Sequence, residues 1–139
     1  MKKKLLAIGL GAALSMTAVS AMADYLTLTN NLGSTITVLC RGIPALPINV
    51  GTPRVIEYKY LNIYGSRPIC KFYLNNYTTQ IGIAQIYVAS GNTQAQVLSA
   101  ASTTGYSATV TDQDNGTTYQ TPITTSTPEA NNMSVTFNN

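Results

Sequence analysis

Residues 106–121 read YSATVTDQDNGTTYQT. Tyr106, Ala108 and Val110 alternate with Ser107, Thr109 and Thr111, the period of two expected of a strand with one face on a core. Asn115-Gly116 follows as a tight-turn signal, because both residues tolerate the positive φ that a short hairpin needs. Thr117 to Thr121 then returns as the partner strand. The unit predicted here is an antiparallel hairpin, and the flanking sequence repeats the same grammar.

Downstream, residues 122–130 are a polar Thr/Ser/Pro stretch expected to be loop, and Met133, Val135 and Phe137 then alternate with Ser134 and Thr136 as a terminal strand. Upstream, Leu26 and Leu28 alternate with Thr27 and Thr29, and Asn30-Asn31-Leu32-Gly33 leads into Ser34 to Cys40, which alternates again. This predicts an opening β-hairpin. Residues 41–53 carry Pro44, Pro47, Pro53, Gly42 and Gly51 and read as loop, with a short edge strand at Ile48 to Val50 at most. Arg54 to Tyr64, rich in β-branched and aromatic residues, reads as one long strand, and Ile69 to Asn75 as the next.

In residues 80–89 apolar positions fall at 81 and 83, then at 86 and 88, so the inward parity switches near Ala84; a β-bulge or a strand buried on both faces accounts for that. Thr93 to Ala101 is ambiguous. Thr93 and Gln96 make a capping box for a helix, whereas Gly91-Asn92 between Val88 and Val97 makes a hairpin turn; strand is preferred. The expected fold is all-β: a small antiparallel β-sandwich, or a barrel-like variant, of about seven to nine short strands. A membrane-spanning barrel is disfavoured by short strands, interrupting prolines and the lack of an aromatic girdle.

The first 23 residues belong to a different kind of segment. Lys2, Lys3 and Lys4 form a basic start, Leu5 to Ala21 an apolar stretch, and Ala21-Met22-Ala23 a small-residue cleavage site, which together predict a cleavable secretory signal peptide of bacterial character. The apolar stretch is broken by Gly9, Gly11, Ser15 and Ser20 and falls short of the ~20 strongly apolar residues of a membrane span. Asp24 stands where a lipoprotein would need cysteine. The mature chain is expected to be one domain, residues 24–139, in the periplasm or outside the cell.

Removal of the signal changes the charge balance. The full chain has eight Lys and Arg against five Asp and Glu, net +3, but three of the lysines precede the cleavage site. Arg41, Arg54, Lys59, Arg67 and Lys71 remain against Asp24, Glu57, Asp112, Asp114 and Glu129. A near-neutral chain lacks the basic field that holds nucleic acid or an anionic membrane. The basic residues all lie between 41 and 71, and Asp112, Asp114 and Glu129 lie late, an asymmetry that suits either solvated surface or a weakly self-complementary patch.

Cys40 and Cys70 are the only cysteines, and in an exported chain they are expected to form one disulfide. Parity agrees: Cys40 shares a strand face with Ile36 and Val38, and Cys70 with Phe72 and Leu74. The alternative for the pair is a reactive thiol or metal site, which the compartment and the absence of histidine disfavour.

That absence, total in this chain, removes the usual base of serine and cysteine hydrolases and the commonest ligand of catalytic zinc. No catalytic residue is therefore assigned. Carboxylate chemistry is what survives: Asp112 and Asp114, ~7 Å apart on one strand face, and Glu57 define a secreted-hydrolase alternative that needs two carboxyls across a cleft. Asp112-Gln113-Asp114-Asn115-Gly116 also gives a weak calcium candidate, with a poor match to an EF-hand loop; otherwise no cofactor is expected.

Arg54, Tyr58, Lys59, Tyr60, Tyr64, Arg67, Lys71 and Tyr73, with Tyr77, form a candidate contact patch for a protein or glycan, since amphipathic rings interleaved with cations are enriched at interfaces. Tyrosine is also a good strand former, and with no tryptophan the usual sugar-stacking platform is weakened. Paired threonines at 27/29, 35/37 and 109/111 suit a flat ligand-matching face as well as ordinary solvated strand positions. Three glycosylation sequons start at Asn76, Asn115 and Asn132, with no sugar expected in a bacterial chain.

The preferred functional expectation is an exported, non-enzymatic binding or structural module. The alternative is a self-assembling surface fibre or pilus-like subunit built by edge-strand addition, resting on the two uncharged terminal strands, Tyr25 to Thr29 and Met133 to Phe137, which would add to a neighbour if exposed and otherwise pair with each other.

Overall fold

The computed structural model describes residues 24–75 and 77–139, so the signal-peptide expectation lies outside the described residues. Ten strands and one helical turn follow in order: β1 Tyr25–Asn30, β2 Ile36–Cys40, β3 Leu46–Ile48, β4 Arg54–Glu57, α1 Tyr58–Leu61, β5 Ile69–Leu74, β6 Thr79–Val88, β7 Ala95–Ser102, β8 Ser107–Asp112, β9 Thr118–Gln120 and β10 Asn132–Asn138. They build two five-stranded sheets, ordered β4-β1-β10-β8-β9 and β3-β2-β5-β6-β7. The β-sandwich expected from alternation is the observed architecture.

Alternation decides the layers. In β1, β2, β8 and β10 every second residue is buried, and these rows meet in one core that includes Leu26, Leu28, Ile36, Val38, Val110, Met133, Val135 and Phe137. Phe72 of β5 meets Phe137 of β10 with ring centroids 4.8 Å apart, joining the sheets through their middles. Between the sheets lies a cavity of only about 30 Å³, lined mainly by apolar side chains with Ser102 and Thr121 among them, too small for a sugar- or drug-sized ligand.

The opening hairpin is not formed. β1 and β2 lie in different sheets, and the chain between them arches over one end of the core. Asn30 is the cause: its side chain turns inward, donates to the carbonyls of Ser34 (2.8 Å) and Ile48 (2.9 Å), and accepts from the Leu32 amide (2.8 Å). Leu32 is buried beneath the arch, so Asn30 and Leu32 together anchor the connection over the end of the core.

β1 pairs in parallel with β10, from Tyr25 opposite Asn132 to Asn30 opposite Phe137. β1 is flanked on its other side by β4, and β10 by β8. The terminal strands therefore pair with each other, and neither is a free edge.

The long strand expected over residues 54–64 stops at Glu57, opposite Tyr25, after which the Tyr58 amide still donates to the Asp24 carbonyl (3.0 Å). One helical turn follows. It places Tyr58 and Leu61, three residues apart, on a single buried face that closes the other end of the core. Strong β formers adopt helix here because burying these two side chains outweighs local propensity.

The parity switch in β6 is realised by two irregularities, one between Phe72 and Tyr73 against β5 and one between Gln85 and Ile86 against β7. Residues 95–102 are strand, and the Asn115-Gly116 hairpin joins β8 to β9, with Gly116 at φ +80°. The polar stretch 122–130 runs along the outer edge of β7. Paired backbone bonds join Ile123 to Ala100 and Ala130 to Ala95, and Thr127 donates its amide to the Val97 carbonyl while its hydroxyl accepts from the Val97 amide. This strap gives β7 the partner an edge strand lacks.

Candidate functional site

Cys40 of β2 faces Cys70 of β5 in direct register, and the two form the expected disulfide, sulfurs inward. Its position organises the neighbouring surface. Arg41 directly follows one cysteine and Ile69 precedes the other, so the bridge brings the start of the β2–β3 loop beside the segment entering β5.

That segment, Ser66 to Pro68, is itself fixed: the Val88 amide donates to the Ser66 carbonyl (2.8 Å) and the Ile86 amide to the Pro68 carbonyl (3.0 Å). The C-terminus of α1 is tied across the same end by a 2.8 Å bond from Asn62 Nδ2 to Asn92 Oδ1. Between these anchors lies a depression of about 140 Å³ lined by Arg41, Leu61, Tyr64, Gly65, Arg67, Pro68 and Ile69.

Tyr64 is 66 % exposed, yet its place depends on a neighbour. Gly42, at φ +87°, presents bare backbone to the ring; a Cβ built there would stand 2.5 Å from Tyr64 Cδ2. Arg41 lies with its guanidinium carbon 6.0 Å from the Tyr64 centroid, Arg67 5.2 Å from that of Tyr87, and Lys59 Nζ 5.3 Å from that of Tyr60. Ile63 and Ile69 are also exposed, extending apolar surface around the depression.

The candidate contact patch is divided by the fold. Lys59, Tyr60, Tyr64 and Arg67 lie at the α1 end; Lys71 is exposed on β5, in register with Leu39 and Ile83. Tyr73 stacks edge-on with Tyr77 at 5.6 Å, near the opposite end of β5, and Arg54 reaches the Pro47 carbonyl (3.4 Å) at the start of β4. Tyr58 does not belong to any surface. It is fully buried, its hydroxyl donates to the Ala130 carbonyl (3.2 Å), and burial, helped by the negative charges of Asp114, Asp24 and Asp112, pushes its pKa above the ordinary tyrosine range. Placing it in a contact patch is corrected: strand periodicity pointed it outward, whereas the helical turn points it in.

Arg41, Ile63, Ile69 and Tyr87 join the site without having been selected from sequence. The disulfide was the available signal, since direct pairing of Cys40 with Cys70 puts residue 41 next to residue 69.

The carboxylates are engaged elsewhere. Asp112 is buried at the end of β8, and its Oδ1 accepts from the Asp114 amide (2.9 Å); Asp114 Oδ2 accepts from the Asn131 amide (2.7 Å). They belong to one turn, two residues apart, each fastening backbone, and do not face each other across a cleft. Glu57 pairs with Lys59 at 3.4 Å. Among the described residues no group of three or more Asp, Glu, His or Cys side chains is placed to hold a metal ion, and no helix is long and apolar enough to cross a membrane.

Two more open depressions exist, one of about 490 Å³ beside Ile83, Ala101 and Ile123 and one of about 520 Å³ around Ser34, Thr35 and Asn75. Neither includes a charged side chain. No protein-family profile, curated protein or solved structure matches the chain.

Proposed function

We propose that the chain is an exported, non-enzymatic binding module that engages a protein or glycan through the α1 end of its sandwich, in the periplasm or outside the cell. The observation that carries this reading is the exposed Tyr64 ring seated over Gly42 beside Arg41. An aromatic side chain whose position is set before contact loses little conformational freedom on binding, and Tyr and Arg are the residues that most often dominate interface energetics. The filled interior argues against a ligand between the sheets, and the histidine-free composition and turn-fastening carboxylates argue for binding rather than catalysis. Export is supported by the pattern of residues 1–23 and by the disulfide.

The test is binding of the mature, oxidised protein to arrayed glycans and arrayed peptides, beside Tyr64→Ala at equal concentration and with equal thermal stability. Ligands that lose at least about tenfold in affinity in the variant support the reading, as truncating an interface anchor costs more than ~1.4 kcal/mol. Identical binding by the two proteins across both arrays overturns it.

A further inference from the structure

We infer that the depression between Arg41 and Arg67 is a carboxylate-binding pocket for an acidic sugar unit. The inference rests on the reading above and names the ligand class for the same surface. Both arginines line the one depression, and among the described residues neither is paired with a carboxylate; the single ion pair there is Lys59 with Glu57. The acidic residues do not line it: Asp112 and Asp114 hold the β8–β9 turn, and Glu129 lies in the strap over β7. Residues 24–139, with five Lys and Arg against five Asp and Glu, thus keep two uncompensated arginines on one small concavity.

Each guanidinium is also near a ring, Arg41 by Tyr64 and Arg67 by Tyr87. Stacking on an aromatic face leaves the in-plane N–H groups of arginine free, and that planar fork matches a carboxylate through two parallel hydrogen bonds. The rest of the pocket is apolar, with Leu61, Pro68 and Ile69 contributing, and the Tyr64 face stands at its rim. A volume of about 140 Å³ corresponds to roughly five waters at ~30 Å³ each, enough for one small ring. A uronic acid has both required parts: a carboxylate for the arginines, and a C–H face to lie against tyrosine and isoleucine. An acidic peptide supplies the carboxylate on a flexible chain, without a ring to occupy the apolar wall.

The experiment is a titration of the mature protein, followed by amide and side-chain NMR shifts, with tri-galacturonate, neutral galactotriose and hexaglutamate as probes. Tri-galacturonate is expected to bind and to shift Arg41, Tyr64 and Arg67. Arg41→Gln and Arg67→Gln should each weaken it by roughly tenfold or more, as loss of a charge-assisted bidentate contact does, and Arg54→Gln, at the other end of β4, should leave it unchanged. Melting curves of the exposed arginine variants check that each is folded. Equal affinity for the acidic and neutral trisaccharides, indifference to both arginine substitutions, or no binding of any probe overturns the inference. Preferential binding of hexaglutamate overturns the sugar assignment. In each of those cases a Tyr64-dependent partner on the arrays would still leave the binding-module reading standing.

Discussion

At the residue scale, Asn30 and Tyr58 close the two ends of the core with polar groups that have no water to turn to. Asn30→Ala leaves two carbonyls and one amide without their partner, and at roughly 1 kcal/mol each the expected loss is about 3 kcal/mol, read from urea denaturation. Tyr58→Phe removes one bond to Ala130 and should cost about 1 kcal/mol at neutral pH. Its larger effect is on alkaline unfolding. Burial raises the folded-state pKa, so the unfolded chain releases the proton first, near the ordinary value of about 10. The contribution is fully present below that pH and is lost as pH climbs toward the folded-state pKa. Wild type should therefore lose stability steeply above about pH 10, and Tyr58→Phe should show a shallower alkaline limb; parallel limbs would contradict this assignment. Neither plug was legible from periodicity. Asn30 sits at a strand position where a polar residue reads as turn, and Tyr58 sits in a run of β formers; only the closure of the core ends gives each its role.

The elements divide similarly between those written in local pattern and those imposed by packing. β2, β5, β8, β10 and the Asn115-Gly116 hairpin follow from alternation and turn chemistry, which act within a few residues. The arch after β1, the helical turn α1 and the strap along β7 answer to the far side of the molecule, so their own sequences resemble a hairpin, a strand and a loop. The disulfide links two adjacent strands of one sheet across a sequence separation of 30, and its removal in Cys40→Ala/Cys70→Ala should cost about 3 to 4 kcal/mol, measured as a shift in denaturation midpoint. Among the described residues, Gly42 is the glycine whose replacement acts on two levels. Gly42→Ala forces a positive φ on a residue that resists it, costing about 1 to 3 kcal/mol, and the added carbon displaces the Tyr64 ring. Ligand binding through Tyr64 should fall in this variant by more than the melting temperature alone explains, which titration at a temperature well below unfolding checks.

For the whole molecule, the two sheets protect their edges unequally. β7 is strapped, β3 is three residues long with Pro47 in its middle, β9 is three residues long, and β4 carries Arg54 and Glu57 at its ends. These are the features that keep sheet edges from joining between molecules. A monomer is the expected outcome of size-exclusion chromatography on the oxidised mature protein, and fibres in electron micrographs of the same sample would contradict it. The candidate site shows why legibility fell short at this scale. A cluster of tyrosines and cations along residues 54–77 was visible, but the fold sends its members to opposite ends of the sandwich and recruits Arg41 through the disulfide. Sequence neighbours separate because strands are long relative to the molecule.

The parallel pairing of β1 with β10 also sets a schedule. The first and last strands are adjacent at the centre of one sheet, with Tyr25 and Asn132 separated by 107 positions. Sequence-distant pairing of this kind is slow to form, because the intervening chain must be brought together first. An emerging chain cannot complete this sheet until residues 132–138 are available, so β1 must wait for β10 across the whole intervening sequence. A chain ending at Asn131 should lack cooperative unfolding in circular dichroism, and a synthetic peptide of residues 131–139 added in excess should restore it.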